Sequence, residues 1–265
     1  MNGKNEEKVI KWIANIVLSV IVLFAIAPFW LLMAASITDE YTAIREGFKF
    51  IPDKISFEPY RYLFEQWEMI GRAYGITISV TVIGTILSVI IVTMFAYGLT
   101  LKDVRGIKVV MFLVIFSMLF NGGIVPTYYI YTNLLHIKNT IWALIVPNLL
   151  MNGFTVFLVR NYLIQNIPKE IYDAAEIDGC SVFRICFKIV FPLSTPILAT
   201  VGLLEAIAYW NDWINGLYYI TNEKLYSIQL VLNNINNTIN FIANNTKLNV
   251  SSISLPYSTI RMSIA

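Results

Sequence analysis

From Trp12 to Ala35 the chain runs for 24 residues without a charge. Wound as a helix at 1.5 Å per residue, such a run reaches about 36 Å, enough to cross the roughly 30 Å of hydrocarbon in a bilayer. It also exceeds the ~7–15 residues of a signal-peptide core, so the chain opens with a membrane span. Four further apolar runs follow, near residues 74–99, 109–130, 139–159 and 196–220. None shows the ten-residue alternation of a barrel strand, and backbone groups inside hydrocarbon have no water to bond. The expected fold class is therefore all-α: a polytopic membrane helix bundle with five visible spans, forming one transmembrane domain over residues 1–265. Gly84, Gly122, Gly123 and Gly153 permit close helix approach, and Pro147 is expected to kink the fourth helix.

Composition narrows the function classes. The 265 residues are 57% hydrophobic and only 14% charged, against about 25% charged in soluble domains. A net charge of +2 without a basic stripe gives no reason to invoke nucleic acid, and none is expected as a partner. Cys180 and Cys186 are six apart, which suits neither a zinc pair nor a redox CxxC, and His136 is the sole histidine. No metal site follows from these residues. The cysteines read as two reduced thiols on a packed helix.

Lys4, Lys8 and Lys11 precede the first span, and no basic residue follows it until Arg45. The positive-inside rule then puts the N-terminus in the cytoplasm. The loop from Ser36 to Ala73, with five basic and seven acidic residues, does not vote cleanly. Lys102, Arg105 and Lys108 fall inside, while Trp30, Trp142, Trp210 and Trp213 fall near outer helix ends, where an aromatic belt is expected. Residues Thr221 to Pro256 read as an Asn-rich, water-facing outward loop, with N-x-S/T matches at Asn236, Asn244 and Asn249.

By this count residues 160–192 lie in the cytoplasm. Within them "YDAAEIDGCSVFRICFKIVFP", residues 172–192, is unlike the rest of the chain in its charge. Pro168 can open a helix of about three turns that Gly179 stops, and Ser181 can cap a second one ending near Phe191 and Pro192. Arg184 and Lys188 share one face of that second helix, with Val182, Phe183, Cys186, Ile189 and Val190 on the other. The expectation is a helix–turn–helix on the membrane surface, its first helix thinned by Ala174 and Ala175.

Asp173-Ala174-Ala175, Gly179, Ile189 and Pro192 stand at the spacing of the EAA loop. The chain in this respect resembles ABC importer permeases, whose pattern is Glu-Ala-Ala, three residues, glycine, nine residues, Ile-x-Leu-Pro. Asp173 replaces the glutamate and Phe191 the leucine, each keeping the chemical character. "NTIWALIVPNLL", "YWNDWINGLYYI" and "LYSIQLVL" are similar to the carbohydrate, maltose-type branch, and "FNGGIVPTYYIYTNLLHIKNTIWAL" to its complex-oligosaccharide group. The match covers residues 10 to 265.

The resemblance implies a permease subunit of a binding-protein-dependent importer, carrying a sugar or oligosaccharide through a bacterial cell membrane. Its implied partners are a second homologous permease subunit, two ATP-binding subunits and an extracytoplasmic sugar-binding protein, toward which the Thr221–Pro256 loop would reach. Asp173, Ala174, Ala175, Glu176, Gly179, Ile189 and Pro192 would carry the contact with the ATPase. No G-x-x-x-x-G-K-[ST] loop is present, so ATP and Mg are expected on the partner subunit and the chain itself is not an enzyme. His136 reads as structural.

Two sharper sites have open alternatives. Glu205 lies near the middle of the fifth span, where a carboxylate needs water or a partner. It either lines the sugar pathway or is paired or protonated against the second permease subunit. Trp210-Asn211-Asp212-Trp213 combines aromatic faces with polar groups suited to pyranose rings, or else marks the outer belt. A different class, an ion-coupled secondary transporter using Glu205, would also be a multi-span protein, but it explains neither the EAA spacing nor the absence of inverted repeats.

"STIRMSIA", residues 258–265, resembles the opening turn of the family's sixth helix. The resemblance thus implies that the natural product continues by at least one apolar span, leaving part of the fifth helix and Glu205 exposed in the chain as given. The topology has a direct test. Single cysteines within Asp173–Pro192 should resist a membrane-impermeant maleimide in intact cells, and one replacing Asn240 should react; the reverse pattern would overturn it.

Overall fold

The computed structural model describes residues 3–39, 42–43, 46–101, 104–147 and 149–244. Among them the regular structure is helical, apart from one isolated antiparallel bridge between Thr38 and Ile55. The chain divides into two compact units, Met1–Glu68 with Asn234–Ala265, and Met69–Asn233.

In the first unit, α1 (Gly3–Ser36) is one helix of 34 residues that begins before the apolar run and takes in Lys8 and Lys11. Its last turn is closed by side chains: the Thr38 hydroxyl donates to the Ala34 carbonyl at 2.6 Å and Ser36 to Met33 at 2.9 Å. These bonds satisfy carbonyls that a helix end leaves without partners. A short helix, α2 (Glu58–Glu65), returns to this end, where the Tyr60 hydroxyl donates to Ser36 Oγ at 2.8 Å.

The axis of the second unit is α3 (Trp67–Gly98). Its buried residues Ala73, Thr77, Val80, Gly84, Ser88, Val92 and Ala96 recur at steps of three and four, one stripe along the helix. Most are small, so neighbouring backbones approach closely. A Cβ on Gly84 would lie 2.5 Å from the ring of Tyr209. Two clusters form the core along this stripe. One gathers Val92, Ala96, Val156, Val159, Ile185 and Val190; the other gathers Val80, Leu144, Ile145, Tyr209 and Tyr219.

The remaining spans are less continuous than the apolar runs suggest. Among the described residues only Glu7–Ser36 and Trp67–Gly98 are single helices long and apolar enough to cross a bilayer, and the number rises to four if each of two bent pairs is one span. The run at 109–130 is broken into α4 (Ile107–Leu119) and α5 (Ile124–Leu134), bent by 116°. Asn121-Gly122-Gly123 makes the corner: Asn121 Oδ1 accepts from the Gly123 N–H at 2.9 Å, and Gly123 sits at φ +84°. That left-handed backbone is cheap only for glycine.

The run at 139–159 is not kinked but interrupted, as α6 (Trp142–Ile145) and α7 (Gly153–Asn166). Pro147 lacks an N–H and cannot continue a helix, and Asn152 restarts it by accepting from Phe154 N at 2.8 Å. A Cβ on Gly153 would come within 2.7 Å of Met118, so α4 and α7 meet there.

After α7 come α8 (Lys169–Ile177), α9 (Val182–Leu193) and α10 (Thr195–Asn211), the last two bent by 83°. The fifth run therefore ends at Asn211, and a separate short helix, α11 (Ile214–Tyr219), follows.

The expected outward loop from Thr221 contains a helix instead, α12 (Ile228–Asn244). Apolar residues recur there at 228, 231, 235, 239 and 242, a helical period hidden among asparagines. Ile228, Leu230 and Val231 are buried, and the Ile228 N–H donates to Thr77 Oγ1 at 2.9 Å. Asn249, the rest of that segment and the sixth-helix start at 258–265 lie outside the described residues.

Close packing at Gly84 makes a testable claim. Gly84→Ala should cost about 1–3 kcal/mol through overpacking and lower the melting temperature of the purified complex. Gly75→Ala on the same helix meets nothing within 4 Å and, with alanine the better helix former, should not lower it. Equal melting temperatures for the two variants would refute the contact.

Candidate coupling surface and transport path

Pro168 stands just before α8 with φ −59°, which presets the first turn. At the other end Gly179 adopts φ +71°, with its N–H donating to Glu176 O at 3.0 Å and Cys180 N–H donating to Ala175 O at 2.9 Å. A Cβ there would meet nothing within 4 Å. The turn's conformation, not its packing, calls for glycine. Ser181 then caps α9, its Oγ accepting from Arg184 N at 3.4 Å.

The two alanines of the loop do different work. Ala175 is buried and joins the core around Val159 and Leu163, while Ala174 is exposed. Beside Ala175, Tyr172 packs its ring 5.9 Å from that of Tyr97 at the end of α3. The Tyr172 hydroxyl is buried with no partner among the described residues, and burial pushes its phenol up to about 12. Asp173 and Glu176 edge a cleft of about 370 Å³ whose walls include Tyr97, Leu101, Leu163 and Tyr172. Ile177, 86% exposed, projects from the end of α8.

On α9 the buried face differs from the expected one. Ile185, Cys186 and Val190 are buried and Ile189 packs against them, but Val182 and Phe183 are exposed. Cys186–Val190 forms a π turn, which widens the spacing to i, i+5 and rotates later residues relative to a regular helix. Arg184 and Lys188 are exposed as expected. Of the sequence-derived coupling residues, Asp173, Ala174, Glu176, Gly179 and Pro192 face outward, whereas Ala175 and Ile189 anchor the pair of helices.

The pathway candidates separate. Glu205 is 4% exposed, on the buried stripe Val201, Glu205, Tyr209 of α10, with the Thr155 side chain of α7 beside it. This corrects the expectation that the carboxylate would be left exposed. Trp210, Asn211 and Trp213 are exposed. Asp212 is committed to structure: its Oδ1 accepts from the N–H groups of Ile214 at 3.1 Å and Asn215 at 3.3 Å, opening α11. Seven residues separate Glu205 from Asp212, about 10 Å along a helix, so the two do not form one site.

Sequence reasoning missed the groups that mend the broken fourth span. Tyr209 donates its hydroxyl to Ile145 O at 3.0 Å, and buried Asn215 donates to Pro147 O at 3.0 Å. Asking where the carbonyls before and at Pro147 find donors would have pointed to them. Asn139 is a third. At φ +57° it receives the Thr221 N–H at 2.6 Å and the Asn222 N–H at 3.1 Å, while its own N–H donates to Tyr219 O at 3.1 Å. Among the described residues no three His, Cys, Asp or Glu side chains gather as metal ligands.

This architecture has clear relatives. The polygalacturonan/rhamnogalacturonan transport system permease protein YtcP of Bacillus subtilis is 37% identical over 213 residues, 80% of this chain and 73% of that one. Protein LplC of the same organism is 35% identical over 210 residues, 79% of this chain and 70% of that one. The crystal structure of a bacterial ABC transporter involved in import of the acidic polysaccharide alginate superposes with a TM-score of 0.77 at 25% identity, covering 98% of this chain and 91% of that one. Residues 104–259 match the family described as binding-protein-dependent transport system inner membrane component. Both α8 and α9, with their turn, fall inside that match, which displaces the ion-coupled reading of Glu205. The chain belongs to this family: it is a permease component of a binding-protein-dependent ABC importer.

Proposed function

We propose that this permease imports an oligosaccharide across a bacterial cell membrane, driven by ATP-hydrolysing subunits that grip the outward face of α8 and the Gly179 turn. Relatives named for polygalacturonan/rhamnogalacturonan and alginate transport support an oligosaccharide as cargo. The observation that carries the coupling reading is the division of labour on α8. Ala174, Asp173 and Glu176 are exposed to a partner, while Ala175 and Tyr172 are packed on the end of α3 and on α7. A force applied outside thus reaches the spans through close contacts rather than a slack loop. In this reading ATP and Mg belong to two partner subunits, a second homologous permease completes the path, and an extracytoplasmic binding protein delivers the sugar. The N-terminus of α1 lies in the cytoplasm.

Gly179 supplies the test, because its φ is unfavourable for a side chain and worst for a β-branched one. Gly179→Val should leave the protein in the membrane but weaken ATPase association roughly tenfold, a change of ~1.4 kcal/mol, with uptake falling in parallel. Gly179→Asn, which tolerates left-handed backbone, should lose less. Normal substrate-stimulated ATP hydrolysis in the Val variant would refute docking at this turn.

A further inference from the structure

The segment that leaves α1 comes back to it. The indole N–H of Trp30 donates to the backbone carbonyl of Phe50 at 3.0 Å. The return is braced at its base, where Thr38 pairs with Ile55, Asp39 N–H donates to Lys54 O at 3.0 Å and Ser56 N–H to Ile37 O at 2.8 Å. Chain that merely rose into water from the helix end would not meet Trp30 at all.

This bond fixes a depth. Ser36, the last residue of α1, is six residues beyond Trp30, so the helix end stands about 9 Å above it. Helix side chains lean toward the N-terminus, which places the indole lower still. Trp30 itself belongs to the uncharged run from Trp12 to Ala35, at the level where tryptophans border hydrocarbon and headgroups. The Phe50 carbonyl is therefore held at the membrane boundary, whichever way α1 is oriented.

The side chains beside that carbonyl suit the same place. Phe48, Phe50 and Ile51 are all exposed, Ile51 to 78%. The lysine among them, Lys49, binds both Glu46, at 2.7 Å, and Asp53. Hydrogen bonds to Asp53 and Glu46 raise the Lys49 ammonium above its ordinary range, and the bond from Lys49 lowers the Asp53 carboxyl. The ions thus form a compact group next to the apolar tip. Gly47, at φ +76°, turns the chain into it.

We propose that the tip Phe48–Ile51 is a lipid anchor, seating Phe48, Phe50 and Ile51 at the headgroup–acyl boundary of the leaflet in which α1 ends. Partly inserted aromatic and aliphatic side chains bind such an interface in proportion to the apolar area they bury. The anchor would hold the exit of α1 at constant depth while other helices move during transport. It depends on α1 spanning the bilayer and not on the identity of the sugar.

The test uses the transporter assembled with its partner subunits in lipid nanodiscs. Ile51→Cys and Lys54→Cys are each labelled with a small fluorophore. Cys186 is buried and Cys180 half-buried, so brief labelling favours the new thiol, and unsubstituted protein gives the background. Headgroup-proximal doxyl lipids should quench the label at position 51 severalfold more than that at 54, and aqueous iodide should show the opposite preference. Iodide quenching at 51 equal to that at 54 would overturn the anchor in favour of a water-facing tip. Protection from both quenchers would overturn it in favour of a protein partner.

Discussion

A carbonyl that loses its helix inside a bilayer has no water to accept from, and two such groups, at Ile145 and Pro147, organise the second unit. Leaving either without a donor would cost several kcal/mol. Tyr209 and Asn215 supply the donors, and each makes further demands. For the Tyr209 ring to reach Ile145 it must lie against α3, which only a residue without a Cβ permits at position 84. For Asn215 to reach Pro147 the chain must turn after α10, which Asp212 secures by opening α11. An acid beside two tryptophans looks like a sugar contact, yet its oxygen is already committed to this turn.

The same helix, α3, joins that repair to the surface loop. It is continuous for 32 residues, about 48 Å at helical rise. Near its beginning Thr77 receives α12, in the middle Gly84 receives Tyr209, and at its end Tyr97 receives Tyr172. Arg160 of α7 adds a bond to the Leu99 carbonyl at 3.2 Å just beyond the helix end. A displacement of α8 is thus shared by α3 and α7 at once. The buried Tyr172 hydroxyl, with no partner among the described residues, is a local weakness in this joint.

Long features were legible in the sequence because one energetic term decides them. Transfer of uncharged runs into hydrocarbon fixes α1 and α3, and Pro168, Gly179 and Ser181 fix the turns of the surface pair through backbone chemistry. The breaks at Asn121–Gly123, Pro147 and Asp212 were not legible as breaks, because hydropathy sums side chains and ignores whether the backbone stays helical. Gly122, Gly123 and Pro147 were visible, but their severity depends on whether distant donors can take the freed carbonyls. On α9 the misjudged residues are Val182 and Phe183, in the first turn ahead of the π turn; they share the helical period of the buried face but are not covered by other elements. In α12 the asparagines drew attention away from an apolar period that was present throughout.

Glu205 shows what packing adds to such a reading. Val201, Glu205 and Tyr209 follow one another at steps of four and share the buried face of α10. Tyr209 on that stripe is held by its bond to Ile145, and Glu205 lies beside Thr155 of α7. Thr155 in turn donates its hydroxyl to Asn152 O at 2.9 Å, at the start of α7. A sugar hydroxyl could reach Glu205 in this conformation only if the helices packed over the buried face of α10 parted. Trp210 and Asn211, one turn further on and exposed, can be met without moving those helices. In this conformation the carboxylate is packed away on the buried face of α10, and the exposed polar and aromatic surface begins at the end of that helix.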